Sequence, residues 1–449
     1  MLPLDLLYPI LELADRHDWN SCALVSKSFN HAATPLLYST LDSRVVSKSL
    51  VYHPSTTLNQ RPELAQYVRH VTETGAVHRE LRPHYPHITE DTLRALSRCI
   101  NLRSVTWIDD FRFPGSDSFF LSLISVVQNH PLESLTIRTH SDLGDASWVQ
   151  LTKLVGLRKI SIWSLEGPPY LLSKDWARQL CSTLTHLELG RCAGVPTTLL
   201  ISVLSLLPLL EHIRLKGAPS NAIATILTFL PNLRTLDTEY LVSGPANQRS
   251  IPNRDDMATL RHLTVRTSSI DIMGPVKLWT WIQTILPRPG LETFKLHAFT
   301  LHMAHTCIPR TFILELALMQ AGTLKHFMAG DAELSLIDVE CLCHKFPRLE
   351  TLVCLVVAPD LGAIAAAVGR AVNLRTLRLE VHWIHRENQQ APSVDLTLEQ
   401  ASSWMLRGEN SLLRVIGINS VVYTGKWVFE DRAQRFQVVA NVAGDRWNT

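Results

Sequence analysis

The sequence has no excess of either charge. Lys and Arg together number 43 against 41 Asp and Glu, a net charge of +2. That balance excludes a general binder of nucleic acid or anionic membrane, which needs a basic stripe. Cysteine is sparse, eight in 449 residues, and has no paired spacing. A disulfide framework is therefore not expected, and the thiols read as reduced in a reducing compartment. No basic region precedes the first apolar segment, and Asp5 and Glu12 interrupt it. The expectation is a chain that is not secreted, with a cytoplasmic or nuclear location. The longest uncharged run, Cys192 to Leu210, contains Gly194, Pro196, Pro208, two threonines and two serines. It reads as a buried helix within a repeat rather than a membrane span.

Chemical motifs are equally scarce. No P-loop, G-x-S-x-G, G-x-G-x-x-G or C-terminal prenylation box occurs. Cys341-Leu342-Cys343-His344 has metal-ligand residue types but no second ligand pair at suitable spacing, and Leu342 and Phe346 place it on a helix facing a core. His302 and His305 lack the glutamate of H-E-x-x-H. The sequence therefore predicts no catalytic residues, no metal site and no cofactor.

What is present is a repeat. Leu184 to Cys192 reads LTHLELGRC, the form L-x-x-L-x-L-x-x-C. Leu187 and Leu189 alternate with polar neighbours, as a half-buried strand requires. The same start recurs at Leu102, Leu132, Leu157, Leu210, Leu233, Leu260, Leu291, Leu324, Leu349, Leu374 and Leu413. Leucine-rich repeats run about 20–29 residues per unit, with insertions in loops. Helix-length apolar patterns lie between the starts, among them PTTLLISVLSLLP and AIATILTFLP, and Pro208, Pro231 and Pro347 precede the next strand, where proline ends a helix. Each unit is thus strand, turn, helix, loop. Stacked units predict an α/β solenoid with a curved parallel sheet inside and helices outside. Three insertions interrupt the beat: Val242 to Asp256, Phe299 to Arg310 and Arg386 to Asp395. Each is either a tolerated surface loop or a functional one. Val421 to Thr449 departs from the repeat and alternates around Trp427–Phe429 and Phe436–Val439, which predicts a C-terminal cap.

In L-x-x-L-x-L the leucines point inward, so the third and fifth positions face the concave surface. They are Lys159, His186, Glu188, His212, Arg214, Asp237, His262, Lys295, His326 and Arg378, with Thr235, Thr293, Thr351 and Thr376 interspersed. Two readings stay open. These side chains form a solvated polar ladder, or they bind a protein partner. Mixed signs suit a protein better than a polyanion.

The first forty residues are different. Leu6, Leu7, Ile10, Leu11 and Ala14 recur at helical spacing after Pro3. Asp18 and Asn20 are candidate caps for a second helix carrying Ala23, Leu24, Val25, Phe29 and Ala33, and Pro35 interrupts before a third apolar cluster, Leu36, Leu37, Tyr38 and Leu41. So small a unit leans on a neighbour or a partner. With its Leu2-Pro3, its spaced Leu and Ile, and the run CALVSKSFNHAATPLLYSTL from Cys22, the segment resembles an F-box, in a form reminiscent of fungal members. Phe29 stands where Trp is common. The resemblance implies docking on the Skp-type adaptor of a cullin–RING ubiquitin ligase through Leu2, Pro3, Leu6, Ile10, Leu24, Val25, Ser26 and Phe29. It also implies presentation of a substrate by the repeats. Ile10 and Leu11 serve either the adaptor or the unit's own core.

The expected layout is an F-box over 1–45, a linker and capping repeat over 46–100 with a strand at Tyr67–Val71 and a surface loop at His78–His87, a repeat horseshoe over 101–420, and a cap over 421–449. The expected function is that of a non-catalytic substrate receptor in a Skp–cullin–F-box ligase. The alternative is a stand-alone repeat scaffold.

Overall fold

The structure is a computed structural model that describes residues 4–43, 53–109, 118–141, 143–164, 173–241, 257–267, 274–298, 306–384, 396–408, 411–430 and 433–442. Leu2, Pro3, His302, His305 and the insertions at 242–256 and 386–395 lie outside the described residues, as does most of the insertion that starts at Phe299. The chain divides into two compact units: Met1–Leu210 with Arg214–Lys216, and Glu211–Ile213 with Gly217–Thr449.

The first unit opens with three helices, Leu4–Leu11, Arg16–Ala23 and Lys27–Leu37. Leu7 and Leu11, one helical turn apart, are buried with Ala32, Ala33 and Leu36, and Trp19, Cys22, Ala23, Phe29 and Leu37 pack around them. The Trp19 indole donates to the Leu11 carbonyl at 2.6 Å, closing the end of the first helix. Three sequence expectations need correction here. The cap of the second helix is Asp15, whose carboxylate accepts from the Asp18 N–H, rather than Asp18 or Asn20. The expected single helix through Leu24 and Phe29 is instead broken, because Ser26 takes an extended backbone and its hydroxyl accepts from the Phe29 N–H, starting a new helix. Pro35 does not end that helix, which runs on to Leu37.

Strand Thr40–Asp42 then pairs in parallel with His70–Thr74, and the ladder continues through Ser104–Asp109, Ser134–Thr139, Lys159–Ser164 and His186–Leu189. The strand expected at Tyr67–Val71 starts later, because Pro62–Tyr67 forms a 3-10 helix. The expected surface loop at His78–His87 is also corrected: His78 lies buried on helix Gly75–Leu81. In the second unit Thr235–Tyr240, His262–Thr267, Thr293–Ala298, His326–Ser335, Thr351–Ala358, Thr376–Trp383 and Val415–Ile418 pair in parallel in that order. Antiparallel strands Val421–Glu430 and Ala433–Val442 follow, the first paired with Val415–Ile418, so a hairpin lies against the last parallel strand.

Strands such as His186–Leu189 and Thr235–Tyr240 bury alternate residues, Thr351–Ala358 buries a continuous run, and helices such as Thr197–Leu204 and Ser220–Phe229 connect successive strands. This is the leucine-rich-repeat arrangement that the spacing predicts. One backbone device recurs at many of the parallel strand starts. The Arg158 carbonyl accepts both the Thr185 and His186 N–H groups (2.9 and 3.0 Å), and the Lys325 carbonyl likewise accepts those of Glu350 and Thr351 (2.7 and 3.0 Å). Among the described residues no helix is long and apolar enough to cross a membrane, and Leu200, Val203 and Leu204 of the uncharged run are buried. The Cys341–His344 segment lies on helix Leu336–Lys345 with Leu342 and Cys343 buried, and burial pushes the Cys343 thiol up to about 12.

Candidate functional site

Two surfaces stand out, and the first is apolar. The first helix spends Leu7 and Leu11 on the core, which leaves Leu6 and Ile10 half exposed and Leu13 91% exposed. The break at Ser26 creates the turn that carries Leu24 and Val25, 87% and 67% exposed. Leaving large aliphatic side chains in water forgoes about 1.5–3 kcal/mol each. A local concentration of them on a small helical unit marks an interaction surface. Of the sequence-predicted residues, Leu6, Ile10, Leu24 and Val25 are therefore open to a partner. Ser26 is exposed but serves as the helix cap, and Phe29 packs on the small core, half-buried. Tyr8, 40% exposed, and Leu13 share the first helical segment, and helical periodicity alone does not mark them, since it does not say which face is left uncovered.

The second surface is the polar face of each sheet. In the first unit the strand register puts Lys159 beside His186 and Ser161 beside Glu188. Glu188 accepts from Ser161 Oγ at 2.7 Å and from the Trp163 indole at 3.3 Å, and the Arg214 guanidinium lies 4.5 Å from the Trp163 ring centre. Burial raises the Glu188 carboxyl, but those two hydrogen bonds and the charges of Arg214 and Lys159 outweigh it and hold it below the usual carboxylate range. Trp163 lies two positions beyond the predicted ones, so a rule restricted to the third and fifth positions passes over it.

In the second unit Thr235, His262, Thr293, His326, Thr351 and Thr376 form one row across neighbouring strands. The histidines are tied into it: His262 Nδ1 is 3.1 Å from Thr293 Oγ1, and His326 Nδ1 is 3.0 Å from Thr351 Oγ1. Burial pushes the His326 imidazole below its ordinary value. The adjacent row runs Asp237, Thr264, Lys295, Met328, Val353 and Arg378 across successive strands, so Thr264 separates Asp237 from Lys295. Arg266 grips Asp237 with both arms, Nε to Oδ1 at 2.9 Å and Nη2 to Oδ2 at 3.1 Å. Asp237 thus has a structural duty, and Arg266, which sequence spacing did not bring to it, is the reason. His212 and Arg214 sit half-buried on strand His212–Leu215.

A third row was not anticipated. The second residue of each repeat start is charged in most units, and in the second unit Lys325 pairs with Glu292 at 2.9 Å, Arg375 with Glu350 at 3.3 Å and Arg261 with Glu292 at 3.7 Å. A cavity of about 280 Å³ opens there, lined by Lys325, Arg348, Glu350, Asn373, Arg375 and Leu412.

The depressed Glu188 carboxyl gives a pH test. Its stabilisation is present above the unfolded value of about 4.3 and is lost as pH falls through the lower folded value. The stability gap between the parent chain and Glu188→Gln should be constant from pH 7 to about 5 and close below about 4 in urea titrations. A gap unchanged in acid would show that Glu188 is not held ionised by its neighbours.

Residues 1–36 match the F-box domain family. Comparison with curated proteins found no match. Solved structures similar to the chain include the yeast Rad7–Elc1 complex, at 14% identity over 89% of this chain and 93% of that chain, with a TM-score of 0.42. The leucine-rich-repeat protein LegL7 from Legionella pneumophila is 13% identical over 74% of this chain and 97% of its own, with a TM-score of 0.36. A leucine-rich-repeat protein from Leptospira interrogans is 12% identical over 80% and 88%, with a TM-score of 0.33.

Proposed function

We propose that this chain, an F-box followed by leucine-rich repeats, is the substrate receptor of a Skp–cullin–F-box type ubiquitin ligase and does no chemistry itself. The observation that carries the proposal is the exposed aliphatic set Leu6, Ile10, Leu24 and Val25 within the stretch that matches the F-box. A Skp-type adaptor would cover those side chains. The polar faces around Trp163 and Asp237 would hold a protein substrate. Tethering would then raise the substrate's effective concentration beside a charged conjugating enzyme.

The test is the affinity of the full chain for a purified Skp-type adaptor, compared with the double variant Leu24→Asp, Val25→Asp. Burying a leucine and a valine contributes about 1.5–3 kcal/mol each, and a buried aspartate adds a desolvation cost. Each 1.4 kcal/mol is tenfold, so affinity should fall at least about 100-fold. Both positions are exposed, so the thermal midpoint of the variant should be unchanged. Tight binding unaffected by the variant would place the adaptor elsewhere. Absence of binding by the folded parent chain would leave a stand-alone repeat scaffold.

A further inference from the structure

A buried polar cluster in the first unit has no part in either surface. His53 caps helix Pro54–Gln60, Glu73 lies on strand His70–Thr74 and His78 on helix Gly75–Leu81, and all three are buried. Glu73 Oε2 is 3.0 Å from His78 Nε2 and 3.3 Å from His53 Nε2. One ligand atom from each of the three residues lies within 4.8 Å of the other two. Among the described residues, His53 Nε2 has no hydrogen-bond partner although it faces the carboxylate, and neither does His78 Nδ1. A carboxylate taken out of water needs a positive charge beside it.

We propose that His53, Glu73 and His78 form a binding site for a divalent transition metal of the zinc class, with ligand atoms His53 Nε2, His78 Nε2 and a Glu73 carboxylate oxygen. The spacing fits the chemistry. Ligands at about 2.0–2.1 Å from a tetrahedral zinc stand about 3.3 Å from one another. The donor set, two imidazoles and a carboxylate, suits zinc rather than the oxygen-preferring calcium or magnesium. The outer shell is also in place. His53 Nδ1, which accepts the Ser55 N–H at 3.3 Å as the helix cap, is also 2.8 Å from Ser55 Oγ; when Nε2 bonds the metal, Nδ1 exchanges that cap for an N–H donated to the rotatable hydroxyl, and Thr92 Oγ1 lies 3.4 Å from Ser55 Oγ. The His78 ring stacks on Phe119 at 3.9 Å between centres, which fixes its plane. A fourth position remains for water. Bound metal would clamp the helix that starts at Pro54 onto the strand and helix of the first repeat. This inference does not depend on the receptor function.

The experiment uses the full chain, stripped with a chelator and dialysed, then titrated with zinc(II) and separately with cobalt(II). The expected result is one zinc per chain, a thermal midpoint that rises with zinc, and a tetrahedral cobalt absorption displaced by zinc. His78→Gln and Glu73→Gln should each bind zinc at least about 100-fold more weakly. Should either variant fail to fold, the parent chain still decides the matter. A folded parent chain without stoichiometric zinc, without a cobalt spectrum and with a midpoint indifferent to metal overturns the site and leaves a buried carboxylate–imidazole contact. Undiminished zinc binding by folded His78→Gln also overturns it, since the metal would then sit on other histidines.

Discussion

Phe294→Ala will lower the unfolding free energy of the second unit by about 3–5 kcal/mol, the usual cost of emptying a buried aromatic site. Phe294 is completely buried on strand Thr293–Ala298. Its ring centre is 5.4 Å from that of Phe327 on the next strand and 5.8 Å from that of Phe312 on helix Arg310–Gln320. Phe312 in turn lies 4.7 Å from Trp279. The register holds Leu263, Phe294 and Phe327 side by side through backbone hydrogen bonds. The neighbours cannot close the void without breaking that ladder, so the cavity term is retained. Because a repeat is stabilised by its neighbours, the loss spreads to adjacent strands instead of staying local. Urea denaturation followed by tryptophan fluorescence measures it, with Phe294→Leu expected to cost clearly less. A loss below about 1 kcal/mol would show that the aromatic row is not close-packed.

Gln320→Leu should cost a comparable amount by a different route. Gln320 is a fully buried amide at the end of helix Arg310–Gln320. Its Oε1 accepts from the Gly290 and Leu291 N–H groups, both at 2.9 Å, and its Nε2 donates to the Arg288 carbonyl at 2.7 Å. Gly290 has a positive φ of 139° and its Cβ position is closed by Thr259, so the loop before strand Thr293–Ala298 has little freedom to find other partners. Leucine keeps the volume but strands these backbone groups, each at about 1–3 kcal/mol. The expected total is about 3–5 kcal/mol by chemical denaturation. Gln320→Glu, which keeps an acceptor for the two N–H groups, should recover part of it at neutral pH. Equal stability of parent and Gln320→Leu would mean that water satisfies the loop.

Much of this was legible because it is periodic. Starts such as LRSVTW and LETLVC become Ser104–Asp109 and Thr351–Ala358, with the first leucine buried just ahead of the strand. What escaped depends on residues far apart in sequence or on single hydrogen bonds. The Asp237–Arg266 pair and the Gln320 amide join adjacent repeats, and a reading of one repeat at a time does not connect them. The break at Ser26 turns on one hydroxyl cap, yet it decides that Leu24 and Val25 face solvent. His53, Glu73 and His78 lie in a stretch whose Pro, Thr and Ser content reads as linker and loop, and they meet only because a strand and two short helices fold together. For the predicted adaptor residues the sequence supplied the resemblance. The division of that segment into core-facing Leu7, Leu11 and Phe29 and open Leu6, Ile10, Leu24 and Val25 required the packing.

Hydrogen exchange of the full chain, with and without a saturating Skp-type adaptor, tests the central claim most directly. Amides covered by a partner exchange more slowly in proportion to the stability the partner adds. The account predicts protection concentrated in peptides spanning Leu4–Leu13 and Leu24–Phe29, with the strands around Trp163 and Asp237 unchanged. Protection confined to the repeat strands, or no change at an adaptor concentration that saturates another F-box chain, would contradict it.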